Sequence, residues 1–297
     1  MSVSTRHVFS QGPVIAALAR TAAAAAMQRS NGHAQPPSTP GAWFEAELPP
    51  RPEGLVRDYI RHVGGDPSAY RGVVPPHLFP QWAFPLVART LGGVSYPMAK
   101  VMNAGCRLEI ASPIPAGEPL LVRARLESVD DDGKRAILVQ RVITGTRSAP
   151  EALVCDMRAF VPLAKKEPGA KKAAATLPTE VKEIAFLRIA ADAGLDFAKL
   201  TGDFNPVHWV TRYARASGFK SCILHGFSTL ARALEAVNRR VFAGDPRRLA
   251  TVDVRFTGPL VLPARAGVYI AGDALYVGDA PGGRAYLEGR FSSKEMQ

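Results

Sequence analysis

Residues 226–241, GFSTLARALEAVNRRV, put Leu230, Leu234, Val237 and Val241 at i, i+4, i+7 and i+11. That spacing is one apolar face of a long helix. Residues 254–270 follow as VRFTGPLVLPARAGVYI: an apolar strand, Pro259, a Pro263-Ala264 corner and a second apolar strand. The same order occurs upstream. Residues 79–92, FPQWAFPLVARTLG, hold a helix with Trp82, Leu86 and Leu91 inward and a start made irregular by Pro80 and Pro85. Residues 108–126, LEIASPIPAGEPLLVRARL, repeat the strand, Pro113, the Pro115-Ala116 corner and the next strand. The two halves read as a weak internal duplication with a period near 146 residues.

More strands follow each helix. Leu120–Val129 and Arg135–Thr144 flank Asp130-Asp131-Asp132-Gly133 and predict a hairpin. Glu151–Leu163 alternates as another strand. In the second half, Ala266–Val277 and Arg284–Phe291 flank residues 278–283 as a further hairpin. Strands grouped after a helix, rather than alternating with helices, indicate an α+β fold.

The 297 residues are 47% hydrophobic and 21% charged, which excludes a disordered chain and suits about two domains or one large one. No run approaches the roughly 18 apolar residues of a spanning helix. Cys106, Cys155 and Cys222 are widely spaced, with no CxxC. They argue against a disulfide framework or a zinc cage and are expected in the core of a cytoplasmic protein. The net charge is +11, but part of it sits outside the two halves. Residues 1–44 carry Arg6, Arg20 and Arg29 and no acid, and residues 164–176, AKKEPGAKKAAAT, carry four lysines against Glu167. The remaining excess suits an anionic ligand or an acidic partner. With no zinc-finger spacing and no aromatic RNA-binding signature, nucleic acid is not expected.

Pro13–Arg29 favours a helix, and Asn31–Pro40 a loop. This acid-free segment resembles an organellar targeting peptide but lacks an Arg-rich amphipathic stripe; a helix lying on the body is the simpler reading. The expected organisation is a peripheral segment (1–54), a first half (55–163), a linker (164–177) and a second half (178–297).

Chemistry concentrates in residues 197–214, FAKLTGDFNPVHWVTRYA. Asp203, Asn205 and His208 lie within six residues, between Gly202, which permits an unusual backbone, and Pro206, which stiffens the turn. A helix is expected to start near Val207. Such a loop can hold a carboxylate beside an imidazole for proton transfer near neutral pH. The spacing also fits an Asx-rich turn that caps a helix and leaves His208 solvated. Downstream, Ile223-Leu224-His225-Gly226 brings the backbone to the N-terminus of the second long helix. Unpaired N–H groups there can hold a carbonyl oxygen as it becomes an oxyanion.

Taken together, Thr201-Gly202-Asp203-Phe204-Asn205-Pro206-Val207-His208, Ala214, Ser217-Gly218-Phe219 and Ile223-Leu224-His225-Gly226 resemble the hydratase 2 signature of the MaoC-like dehydratases, the (R)-specific enoyl-thioester hydratases. The likeness is close over Phe197–Phe227. Through the duplication it extends over residues 55–292 as a double hotdog, an α+β fold in which each half wraps an antiparallel sheet around a long central helix. The resemblance implies that Asp203 and His208 bind and activate water and handle the α-carbon proton. It implies that the Gly226 N–H donates to the thioester carbonyl, and that Asn205, Gly202 and Phe227 position loop and substrate. The implied reaction is reversible syn hydration of a trans-2-enoyl thioester to the (R)-3-hydroxyacyl thioester. It needs no metal or redox cofactor; coenzyme A or acyl carrier protein is the substrate's carrier.

Phe197 stands where the family often has Tyr. Trp209-Val210 lie where a capping Asp is common, which leaves Thr211 to cap, and Ser221-Cys222 replace a residue and Pro. The first half has no GDxNPxH and no Asp or Asn suitably spaced from His77, so it reads as a non-catalytic hotdog whose missing loop leaves room for a long acyl chain. His7, His33, His62 and His77 read as surface or structural, and His225 as open. Lys220, Arg232, Arg239, Arg240, Arg247 and Arg248 either meet carrier phosphates or an acidic carrier protein, or form a solvated helix face. Three other functions share these residues: a 3-hydroxyacyl-carrier-protein dehydratase, a hotdog thioesterase, which the signature disfavours, and a non-catalytic acyl-thioester-binding protein. A monomer and a homodimer both fit, since a double hotdog pairs its own sheets.

Overall fold

The structure, a computed structural model, describes residues 3–27, 37–97, 100–164 and 174–294. The first half contains α1 (Gly12–Met27), β1 (Phe44–Leu48), α2 (Glu53–His62), β2 (Val73–Val74), α3 (Pro80–Thr90), β3 (Met102–Ile110), β4 (Ile114–Pro115), β5 (Leu120–Asp131), β6 (Arg135–Gly145) and β7 (Leu153–Pro162). The second contains β8 (Lys182–Ile189), α4 (Ala193–Thr201), α5 (Thr211–Ala216), α6 (Gly226–Arg240), β9 (Leu249–Phe256), β10 (Ala264–Ala271), β11 (Ala274–Gly278) and β12 (Ala285–Ser293).

Among the described residues, ten strands form one antiparallel sheet in the order β1-β5-β6-β7-β3-β9-β12-β11-β10-β8. Its seam is β3 against β9, from Gly105↔Arg255 to Glu109↔Thr251. Outward from the seam each half repeats the same order, so the duplication read from the sequence is a pseudo-two-fold arrangement. The α+β double hotdog holds, with its two half-sheets fused edge to edge.

Strand alternation sets the faces. In β7, Leu153, Cys155, Met157, Ala159 and Val161 point inward, and the residues between them are more exposed. The outward positions carry charge pairs. Arg141 makes a two-pronged contact with Asp156 at 2.7 and 2.8 Å, and Arg158 crosses the seam to Asp253 at 2.7 Å. The inner face packs on α3 and α6. Trp82, Leu86, Leu230, Leu234 and Val237 are buried, while Leu91 and Val241 are only half-buried at the helix ends. One core cluster runs from Leu55 to Phe291 and includes residues of both halves. The cysteines are free and buried, as expected. No described helix is long and apolar enough to cross a membrane.

Several expectations change. Residues 266–277 are not one strand but the hairpin β10–β11, folded at Gly272-Asp273 with Gly272 at φ 60°. The two-residue turn lies inside an apolar run that masks it. Residues 1–54 are not merely peripheral: Phe44–Leu48 pair with β5 as an edge strand, α1 packs on α3, and the 3-10 turn before α1 packs on α4. Of the expected linker, residues 165–173 lie outside the described residues. Thr176 already bridges to Arg284, and Leu177 is buried. Most of the expected loop at Asn31–Pro40, with His33, also lies outside them.

Candidate active site

The site begins where α4 ends. Gly202 closes that helix in the left-handed conformation (φ 82°), its N–H donating to Ala198 O at 2.7 Å. The chain then turns sharply. The Phe204 N–H donates to Gly202 O at 3.0 Å, and the Asn205 side chain accepts from the Val207 N–H at 3.3 Å. Asn205 thereby caps a single 3-10 turn, Pro206–His208. The helix expected near Val207 starts only at Thr211, because Trp209 and Val210 leave helical geometry. Thr211 is not the cap: Val210 holds that position, and the Thr211 hydroxyl lies 3.6 Å from Cys222 Sγ.

The turn is tied to the segment before α6. The Ile223 N–H donates to Val207 O at 3.3 Å, and Ile223 itself bridges to Val261. His208 Nδ1 lies 2.8 Å from Ile223 O. A carbonyl only accepts, so Nδ1 carries the proton and Nε2 keeps its lone pair. Burial lowers the His208 pKa, while Asp203 pulls the other way. Burial raises the pKa of Asp203, whose side chain is 20% exposed, from its ordinary value, and His208 opposes that shift. Hence the pair favours its uncharged forms more than either group does in water.

His225, left open by the sequence, is central. It occupies the N-cap position of α6, where Ser, Thr, Asp or Asn is usual, and its side chain does not cap. Instead Nε2 donates to Asp203 O at 2.9 Å, and the ring stacks on His208 with centroids 3.6 Å apart and planes 24° apart. Burial holds His225 well below the ordinary imidazole pKa, with His208 pushing the same way. It is a neutral platform that fixes both partners. The unusual residue at that cap was the signal available in the sequence.

Asp203, His208 and His225 offer side-chain donor atoms that all lie within 4.8 Å of one another. A water making two hydrogen bonds of about 2.8 Å spans such a gap. Gly226 is the first residue of α6, so its N–H is not consumed by the helix. A Cβ there would fall 2.7 Å from the Phe256 ring, so no side chain fits. Phe227 does not enter the loop. It is buried, edge-on to Phe79 at 5.2 Å and Phe256 at 5.8 Å, and anchors the start of the helix.

The first half has a related turn with other contents. Asp66 caps the 3-10 turn Pro67–Tyr70 as Asn205 caps Pro206–His208, a counterpart the spacing from His77 did not show. At that position the expected room is filled. Tyr70 OH donates to Glu235 Oε1 at 2.8 Å, His77 Nε2 lies 3.0 Å from the same oxygen, and Tyr59 OH donates to His77 O at 2.8 Å. His7 and His77 are structural, as expected. His62 accepts from Arg232 at 3.2 Å, and burial with that cation pushes its pKa down to about 3. Arg232 is therefore not on a solvated face; burial lowers it to about 10. Lys220, Arg239, Arg240 and Arg247 are exposed, and Arg248 lies over the Phe242 ring.

Residues 168–274 match the family model of a MaoC like domain. The peroxisomal enoyl-CoA hydratase 2 of Arabidopsis thaliana is 28% identical over 183 residues, covering 56% of this chain and 58% of that protein. The 3-hydroxyacyl-thioester dehydratase X of Mycobacterium tuberculosis is 29% identical over 195 residues, covering 63% and 66%. The chain thus spans about three-fifths of the Arabidopsis protein it matches. The crystal structure of HtdX of Mycobacterium tuberculosis superposes with a TM-score of 0.67 at 24% identity, covering 85% of this chain and 100% of that one. A conserved hypothetical protein of the same organism, described as having a double hotdog fold, superposes at 0.55 with 16% identity over 87% of this chain and 97% of its own.

Proposed function

We propose that this chain, whose residues 168–274 match the family model of a MaoC like domain, is a hydro-lyase that adds water reversibly, and syn, to a trans-2-enoyl thioester to give the (R)-3-hydroxyacyl thioester. One observation carries the reading. Asp203 and His208 converge within 4.8 Å on a turn that is hydrogen-bonded to the residue preceding the free N–H of Gly226. That joins an acid/base pair to an oxyanion donor.

In this reading the thioester carbonyl accepts from the Gly226 N–H, and water lies between the Asp203 carboxylate and His208 Nε2. As the water oxygen bonds to the β-carbon, Nε2 takes its proton and charge moves onto the thioester oxygen. The α-carbon then takes a proton from the same cluster, so H and OH enter from one face. The atoms added sum to one water. Such acid/base catalysis contributes about 10²–10⁴-fold, and an oxyanion donor about 3–4 kcal/mol. Asp203, His208 and Gly226 all come from one chain.

The acyl carrier is coenzyme A, with acyl carrier protein as the alternative. Loss of enoyl absorbance with crotonyl-CoA and with a long-chain trans-2-enoyl-CoA tests the reading. Activity is expected in wild type, with a loss of about 10²–10⁴-fold in folded Asp203→Asn and His208→Ala. Silence on both substrates and on carrier-protein thioesters would replace the enzyme with an acyl-thioester-binding protein.

A further inference from the structure

We propose that the N-terminal segment is a clamp on the catalytic turn, with Gln11 and Val14 as positioning residues for Asp203. Gln11 joins the 3-10 turn Thr5–Gln11 to α1 and is 0% exposed. Its Nε2 donates to Lys199 O at 3.3 Å and Leu200 O at 3.0 Å. These are carbonyls of the last turn of α4, which the helix itself leaves unpaired. Its Oε1 accepts from Gln81 Nε2 on α3 at 3.0 Å, and Gln81 in turn accepts from Arg51 at 2.9 Å. One buried amide therefore ties the end of the helix that leads into the catalytic turn to the central helix of the other half.

Val14 acts one residue further on. It is buried directly against Gly202, where a Cβ would fall 2.7 Å from Val14 Cβ and 3.2 Å from Gln11 Cβ. Gly202 is the left-handed residue whose φ sets the direction of Asp203. The clamp also grips the rest of α4 and reaches α2. The Val3 N–H donates to Asp196 at 3.2 Å, Lys199 Nζ donates to Val3 O at 3.1 Å and to Asp196 at 2.8 Å, and His7 bonds Asp58 at 2.8 Å. An apolar cover would need none of these groups. A fully bonded buried amide specifies one register, because any slip strands its polar atoms.

The proposal rests on the hydratase reading only for its activity readout. The variants are Gln11→Leu, Val14→Ala and Val14→Ile, measured by kcat and KM for crotonyl-CoA and by amide hydrogen exchange across residues 200–208. In folded Gln11→Leu, kcat is expected to fall about tenfold with KM within about twofold, since a misplaced group costs turnover more than binding. Exchange across the turn is expected to quicken by about tenfold as local opening becomes easier. Val14→Ala is expected to do the same more weakly and Val14→Ile to restore wild-type values. Unchanged exchange across 200–208 in a folded variant overturns the clamp, as does a loss of melting temperature with kcat intact. If Gln11→Leu does not fold, the Val14 pair decides. If wild type hydrates nothing, the exchange data still decide the clamp, and only the functional reading fails.

Discussion

His225 shows how the two side chains proposed to be catalytic, Asp203 and His208, are held without a charge. It bonds the backbone of Asp203 and lies flat on His208, so it serves both through different atoms. Substitutions separate the two tasks. His225→Phe keeps the stacking face and loses the hydrogen bond, whereas His225→Asn reverses this. Each is expected to lower kcat by about tenfold or more at a site where small misplacements are costly. Equal activity of either variant with wild type would show that the lost contact is dispensable. The pH profile follows from the same burial. His208 must be neutral to act as a base, and burial lowers its pKa, so the acid limb of kcat/KM is expected below the ordinary imidazole range. Asp203 raises that pKa, so the residual activity of Asp203→Asn is expected to have its limb at still lower pH. A limb that moves upward would contradict the pairing. Asp203, Asn205 and His208 were legible because they sit in one turn. The role of His225 was not, since its stacking partner is 17 positions away and only folding brings the rings together.

At the scale of elements, α6 is the central rod of the second half and, in the proposed reaction, also the oxyanion donor, and Gly226 joins the two roles. Its packing against Phe256 predicts that Gly226→Ala pushes the helix start off the ring. The expected cost is about 10²–10³-fold in kcat, the range for losing an oxyanion donor. Phe256→Leu in the same chain should recover part of it by making room. A double variant no better than the single one would assign the loss to something other than this contact. The helix was legible from its apolar spacing, since that face must be buried wherever the helix docks. The β10–β11 hairpin was not, because Gly272-Asp273 makes a turn too short to interrupt an apolar run visibly. The start of α5 was missed because Pro206 suits a 3-10 turn as well as an α-helix.

Across the whole molecule, polar ties as well as the shared core join the halves. Glu235 and Arg232 of α6 reach Tyr70, His77 and His62 of the first half, and Arg158 and Asp253 pair across the seam. The duplication is visible in the sequence, but these ties are not, because they link residues 95 to 170 positions apart. They predict how the protein responds to acid. The pKa of His62 is about 3 in the fold against 6.5 unfolded, and His225 is displaced the same way. A depressed imidazole means that the unfolded chain binds more protons. Its contribution to stability is thus complete above about pH 6.5 and is lost progressively as pH falls toward the folded value. Urea midpoints measured from pH 7.5 down to about 4 should therefore begin to fall in the imidazole range, before the carboxylates titrate. His62→Gln, which can still accept from Arg232, should flatten that early fall. Because one core runs through both halves, buried Trp82 in the first half and far-UV circular dichroism should report a single shared transition at each pH. Midpoints that stay level until about pH 4.5, or two separated transitions, would show that the ties across α6 do not couple the halves.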